Sequence, residues 1–268
     1  MATETLSGPL GEWRAASTAG GGTALSTTAV RIPLLRGTKQ VQLIPRNFST
    51  AVVAKFNVNP YLLVLLTADA LATSPTDYSE NAQDLSASTD VTLSSMDTAA
   101  NSDYLYVGSH QPFSGAEIDV DAANANASVL TVKYRKSDNT WADITATDGT
   151  ASGGAAFAID GNVTWTMPTD WITCKLRESA DTALNFGFAQ QDLWWTRWQV
   201  SAALDSSTTL NSLIAINRNT AYGEIPSGFS QEFAVTTGPG GVFSVTALTD
   251  AGTANLIVNC ATRATGLF

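Results

Sequence analysis

The sequence contains one histidine, His110, and twenty-four acidic residues. This composition limits the catalytic chemistry that the chain could perform. A serine-histidine-aspartate relay would have to use His110, yet no Gly-x-Ser-x-Gly turn is present to expose a nucleophile. Ser109 is merely its neighbour in the chain. We therefore predict that His110 is an exposed or hydrogen-bonded residue of a loop at a strand end.

Acidic residues are the remaining candidates for catalysis and metal binding. Asp119 with Asp121, or Asp143 with Asp148, could form the carboxylate pair that a glycoside hydrolase uses at a set separation. In residues 119–124, side chains with oxygen ligands alternate with apolar side chains, as in a calcium loop. The segment lacks the glycine at the sixth position and the closing glutamate of such a loop. Aspartate in β proteins commonly lies in solvated turns, so we predict no enzymatic activity, no metal and no cofactor.

Neither the glycine-rich segments nor the cysteines have the pattern of a cofactor site. Residues 20–22 lack the lysine and hydroxyl residue of a phosphate loop, and residues 238–241 place a proline where backbone donors are needed. Cys174 and Cys260 lie far apart without CxxC spacing. We expect both thiols to be buried small hydrophobic groups.

Tryptophans are the strongest candidates for ligand binding, and the segment 194–200 holds three of the seven. Aromatic rings flanked by polar groups can stack on sugars, so Trp194, Trp195 and Trp198 form a candidate ligand platform. In the alternative, strand alternation sends Trp194 and Trp198 into the core while Trp195 covers a sheet edge or an interface. We favour the alternative.

Composition narrows the range of partners. The net charge is -10 and only 14% of the residues are charged, so small polar residues must cover much of the surface. Such a surface suits protein packing and argues against binding of nucleic acid. The first residues do not resemble a secretion signal, and the longest apolar run, 61–66, is too short to cross a bilayer. We therefore expect a soluble chain made in the cytoplasm.

Short β-rich runs separated by turn residues predict an all-β fold, a β-sandwich of jelly-roll or Greek-key type. We divide the chain into an extended N-terminal arm (1–40), a sandwich body (41–217) and a C-terminal β-meander (218–268). A long polar connection is expected over 70–101, and a short helix around 181–188.

The arm is predicted to act in assembly. It is rich in glycine, serine and threonine, and Leu10, Trp13 and Arg14 are its candidate interface residues. In this interpretation the arm orders on a neighbouring subunit; in the other, it is a terminus without a role. The first interpretation predicts that deletion of residues 1–25 leaves the melting transition unchanged and abolishes incorporation into particles.

The middle of the chain resembles a β-sandwich module of tailed-bacteriophage virion proteins. The resemblance covers residues 100–217 and depends on the order of its pieces. In sequence order these are YLYVG (104–108), PFSG (112–115), WADI (141–144), DGT (148–150), GNVTW (161–165), PTDW (168–171) and WTRWQVSA (195–202). It implies a place in the virion, assembled in the host cytoplasm, and it implies no catalytic residues.

Two functions follow from this resemblance as expectations. The first is a capsid decoration or cement protein that stabilises the head through contacts with the major capsid protein. The second is a neck, tail or fibre component that acts as a host-recognition or carbohydrate-binding module through exposed tryptophans. A closed homo-oligomer is expected in either case, because an edge strand such as 229–236 needs a neighbour to cover it.

Overall fold

The computed structural model describes residues 7–8, 11–15, 21–67, 75–84, 88–93, 95–96, 99–101, 103–178, 191–217 and 222–261. These residues form β-strands, three short 3-10 turns and no α-helix, which confirms the predicted all-β class. In the described part of the chain, no helix has the length and apolar character needed to span a membrane. The helix predicted over 181–188 lies outside the described residues.

The chain folds as two compact units, and one is inserted into the other along the sequence. Unit 1 comprises Met1–Tyr61 and Asn219–Phe268, and unit 2 comprises Leu62–Arg218. The sequence placed residues 41–61 with the sandwich body, whereas in the structure they share a unit with both chain termini. The reason is pairing between distant strands, which periodicity does not reveal.

Unit 1 is built from two sheets. The first has the order β1-β2-β21-β5-β19, with β3 also paired to β21, and the second has the order β18-β6-β20-β4. The strands are Ser7–Gly8 (β1), Gly11–Ala15 (β2), Thr23–Leu25 (β3), Val30–Pro33 (β4), Gln40–Arg46 (β5), Val53–Pro60 (β6), Gly223–Pro226 (β18), Gln231–Ala234 (β19), Val242–Thr249 (β20) and Ala254–Ala261 (β21).

Alternation of apolar residues along the long strands produces the core of unit 1. Val41 and Leu43 of β5 are fully buried, as is Val258 of β21. They pack in one cluster with Val245 and Ala247 of the second sheet. Since one face of each sheet is apolar, the two sheets bury these faces against each other as a sandwich.

Part of the predicted arm belongs to this sandwich. Strand β2 pairs with β21, with Trp13 opposite Ala261 and Arg14 opposite Cys260. Strand β3 pairs with another stretch of β21, and Leu25 is 1% exposed in the core. The described part of residues 1–40 is therefore not a separate extended arm, because β2 and β3 pair with β21 in the sheet. Leu10 lies outside the described residues.

The C-terminal strands also differ from prediction. The segment 218–268 does contain strands, among them β19, β20 and β21. They are not a meander, however: β19 and β21 lie on either side of β5, and β20 lies between β4 and β6 in the other sheet. Each strand buries its apolar side against the opposite sheet, so successive strands alternate between sheets.

Unit 2 is a second two-sheet sandwich. One sheet has the order β13-β12-β16-β10-β7-β8 and the other β14-β15-β11-β17-β9. The strands are Leu63–Leu66 (β7), Thr76–Asp77 (β8), Val91–Thr92 (β9), Leu105–Ser109 (β10), Phe113–Ala122 (β11), Leu130–Arg135 (β12), Trp141–Asp143 (β13), Thr147–Asp148 (β14), Gly161–Thr164 (β15), Trp194–Val200 (β16) and Thr209–Asn217 (β17). Strands β12 and β13 pair as an antiparallel hairpin.

The polar connection predicted over 70–101 contributes to the core of unit 2. Val91, Leu93 and Met96 are fully buried in the same cluster as the inner sheet residues. Gln83 is 4% exposed, and its Nε2 donates to the carbonyl of Leu213 at 2.5 Å. The few apolar residues of this polar stretch thus hold its described part against the sandwich.

The Leu25→Ala variant tests whether the N-terminal strands support the core of unit 1. It should lower the free energy of unfolding by about 2 to 5 kcal/mol, because a buried leucine leaves a cavity. The measurement is chemical denaturation, with the exposed Ala24→Ser as the matched control. Deletion of residues 1–25 should likewise lower the melting temperature, contrary to the expectation from sequence. Equal stability of the two variants would contradict this role for β3.

Candidate interaction surfaces

The aromatic residues of unit 2 form a core cluster rather than a platform. Phe113 lies 5.5 Å from both Trp165 and Trp171, and Trp165 lies 6.2 Å from Trp198, measured between ring centroids. The indole nitrogens of Trp165 and Trp171 donate to the carbonyls of Phe113 and Trp195 at 3.2 Å, and that of Trp198 donates to the Thr196 hydroxyl at 2.9 Å. These hydrogen bonds offset the cost of burying the indole nitrogens.

The candidate ligand platform is not exposed. Trp195 and Trp198 are both 0% exposed, and they lie on opposite faces of β16. Trp194 is half-buried and packs edge-on against Trp171 at 5.5 Å. A sugar needs an open ring face for stacking, and two of the three rings offer none. The favoured alternative for Trp194 and Trp198 agrees with this placement, since both pack at the inner cluster.

Trp195 depends on a glycine in the neighbouring strand. Gly108 is its partner in the register of β10 and β16. A Cβ atom added at Gly108 would lie 2.3 Å from Cε3 of Trp195, closer than van der Waals contact permits. The absence of a side chain at position 108 therefore lets the indole lie flat over β10.

The same outer sheet face carries cations stacked on aromatic rings. The Arg197 guanidinium lies 4.4 Å from the Tyr104 ring centre and 5.0 Å from that of Trp141. Arg135 lies 5.7 Å from the Trp141 ring and donates from Nη2 to the Glu178 carbonyl at 3.3 Å. The cation–π contacts hold the edge strand β13 to the sheet, and the hydrogen bond from Arg135 holds the segment around Glu178.

The candidate carboxylates lie in hydrogen-bonded turns. Asp143 Oδ1 accepts from the backbone N–H of Thr145 at 2.7 Å, and Asp148 Oδ1 accepts from that of Thr150 at 2.9 Å. Both follow the pattern Asp-x-Ser/Thr. It recurs at residues 77–79, 138–140 and 205–207, each with the same Asp acceptor. The Asp-x-Ser/Thr spacing is an Asx-turn signal that is present in the sequence itself.

Hydrogen bonding in two of these turns, at Asp138 and Asp205, keeps the carboxylate ionised. At Asp138 the bonds from the Thr140 side chain and backbone lower the pKa, and at Asp205 those from Ser207 do the same. A lowered pKa leaves a poor general acid at neutral pH.

Asp119 and Asp121 accept instead from the strand opposite. Their partners are Asn211 Nδ2 at 3.2 Å and Thr209 Oγ1 at 3.0 Å. Asn124, the sixth residue of the calcium-like segment, is 2% exposed; its Oδ1 accepts from the N–H groups of Asn126 and Asp205. Asn124 therefore ties loops together. Across the described ranges, no group of three or more acidic, histidine or cysteine residues could hold a metal ion, and His110 is exposed.

One corner of unit 1 exposes apolar side chains. Val52 is 67% exposed and Phe229 is 65% exposed. Their loops are joined, because the N–H of Ser227 donates to the carbonyl of Val52 at 3.4 Å. Phe229 lies between β18 and β19, which are the terminal strands of their sheets. Val52 and Phe229, named here the apolar corner, are thus flanked by two sheet edges.

Comparison of the chain with protein-family models, with curated proteins and with solved structures gave no match.

The Gly108→Ala variant tests the close contact with Trp195. Its methyl group should displace the indole, lower the melting temperature and shift the tryptophan fluorescence to longer wavelength. Gly21→Ala is the matched control, because no atom lies within 4 Å of a Cβ at that position. An unchanged emission spectrum would contradict the contact.

Cys174 predicts a dependence of stability on alkaline pH. Burial raises the pKa of its thiol from 9.0 to about 11, with Arg135 opposing part of the effect. Between these values the unfolded chain releases a proton that the folded chain retains, so the contribution is present below pH 9 and is lost toward pH 11. The expected loss is on the order of 2 kcal/mol.

Denaturation of the protein at a series of pH values measures this loss. Cys174→Ala should flatten the profile relative to the parent protein, and Cys260→Ala serves as the matched thiol control. Burial also raises the pKa of Tyr134, with its hydrogen bond to Asp170 as the next cause, so some alkaline slope should survive in both variants. Identical slopes in all three proteins would contradict the role of Cys174.

Proposed function

We propose that this chain is a non-enzymatic structural protein of a bacteriophage particle, and specifically a capsid decoration protein that stabilises the head through protein contacts. The observation that carries the proposal is the apolar corner of unit 1. Two large apolar side chains stand about two-thirds exposed on adjoining loops beside two sheet edges. Such patches are typical of protein contact sites.

The location of the resemblance to virion modules supports the same proposal. All of its pieces, from residue 104 to residue 202, fall within unit 2. Five of them coincide with strands of its sandwich: β10, the start of β11, β13, β15 and β16. The resembling order of motifs thus corresponds to one folded body, while the apolar corner belongs to the other unit.

Decoration would stabilise the head by mass action. A protein that binds the assembled shell and not its free subunits adds its binding free energy to the assembled state. The net charge of -10 favours the solubility of unassembled protein until it meets the shell. The partners in this proposal are the major capsid protein and further copies of the chain.

The proposal is tested by adding the purified protein to particles that lack it and imaging them by cryo-electron microscopy. Ordered density on the head, with the apolar corner against capsid protein, is the expected result. Density at the neck or tail would replace decoration with attachment or host recognition. That alternative no longer has its predicted platform, because Trp195 and Trp198 are buried. Absence of any attachment would overturn the virion assignment.

A pair of matched double variants tests the corner itself. Val52→Ser with Phe229→Ser should reduce attachment to particles by roughly tenfold or more, since about 2 to 3 kcal/mol of apolar burial is lost. Val129→Ser with Ile159→Ser is the control, because these apolar side chains of unit 2 are also exposed, at 65% and 48%. Melting temperatures should be unchanged in both. Equal attachment of the two variants would exclude the corner as the contact.

A further inference from the structure

The outer edge of β19 has the arrangement expected of a pairing surface. Among the strands that the structure describes, β19 pairs with β5 alone and ends its sheet. Gln231, Glu232 and Ala234 are exposed, and Phe233 is half-buried against Phe56 at 5.8 Å between ring centroids. The strand contains no proline, lysine or bulge of the kind that protects edges from neighbours.

The register identifies which backbone groups face outward. The N–H of Val235 donates to the carbonyl of Lys39 at 2.9 Å, and this pair continues the register of β19 on β5. Hydrogen-bonded pairs alternate along an antiparallel ladder, so Phe233 and Gln231 also bond to β5. Glu232 and Ala234 therefore direct their N–H and C=O groups away from β5. Among the described residues, the Glu232 carbonyl accepts one hydrogen bond, from the Gln231 side chain at 3.1 Å.

The two outward-facing residues, Glu232 and Ala234, are separated by Phe233. A strand with this spacing can pair with a second copy of itself about a two-fold axis. With the axis at Phe233, Glu232 of one copy pairs with Ala234 of the other, and the reverse pair forms by symmetry. Each pair exchanges two N–H···O=C bonds, so four bonds satisfy every outward group of both strands.

Side chains favour the same register. Glu232 then lies opposite alanine, whereas an axis at Glu232 would set two carboxylates directly against each other. Phe233 meets its symmetry mate in a non-hydrogen-bonded pair, where Cβ atoms approach most closely and aromatic pairs stabilise a sheet.

We propose that two copies of this chain pair through antiparallel β19 strands, with the two-fold axis at Phe233. The first sheet of unit 1 then continues from one copy into the other. This inference goes beyond the proposed function, because it concerns the free protein and requires no particle.

Proline at position 234 tests the pairing. The N–H of Ala234 is not used in the bonds to β5, so Ala234→Pro should fold, while the proline ring blocks an incoming strand. Sedimentation equilibrium should show a monomer–dimer equilibrium for the parent protein and for Ala234→Ser. Ala234→Pro should dimerise at least about tenfold more weakly, since it loses two hydrogen bonds per dimer. Dimerisation should strengthen with added salt, which screens the two acidic copies.

Hydrogen exchange of the parent protein supplies a second readout that needs no variant. The amides of Glu232 and Ala234 should gain protection as protein concentration rises, while those of the buried strand β21 should not change. A parent protein that is monomeric at every concentration, or an Ala234→Pro variant that dimerises as the parent does, overturns the inference. If the protein is monomeric but still attaches to particles, the dimer inference is wrong and the proposed function stands.

Discussion

The pairing of β21 with β5 is the constraint on which unit 1 depends. Asn255 pairs with Arg46 and Ala261 with Gln40, residues more than 200 positions apart in the chain. On its other edge β21 pairs with β2 and β3, so this C-terminal strand holds two N-terminal strands in the same sheet. Closing so long a loop costs conformational entropy and slows folding. Burial of the apolar faces of the two sheets compensates for this entropy cost only once the strands have paired. Unit 1 therefore has no complete core until the C-terminal strands are present.

Unit 2 lies within that long loop and has its own core. Its organising strand is β16, which places tryptophans on both faces. Trp198 packs among the aromatic residues between the sheets, and Trp195 fills the outer face over Gly108. Burial on both faces makes this strand a central one, with β10 on one side and β12 on the other.

Charge and apolar exposure are distributed in a way that suits association. Many aspartates serve turns, where they accept hydrogen bonds from a following serine or threonine, so the acidic composition supports loops and solubility together. The large exposed apolar side chains of unit 1 stand at a corner beside sheet edges. Because the chain has few charged residues, few charged side chains protect these sheet edges from pairing with another strand. The net negative charge nevertheless opposes nonspecific association between copies.

Alternation of apolar residues was enough to predict the all-β class and the faces of β16, because alternation is a local property of neighbouring residues. The Asp-x-Ser/Thr spacing in the sequence likewise indicates the Asx turns. The tertiary structure sets which strands pair: β2 and β3 join β21 instead of forming an arm, and β19 and β20 belong to different sheets. It likewise decided that Trp195 is buried, since that depends on Gly108 in another strand. The pairing of strands that are far apart in the chain leaves no periodic signal. The apolar face of one strand can pack against that of many others, so alternation does not identify the partner.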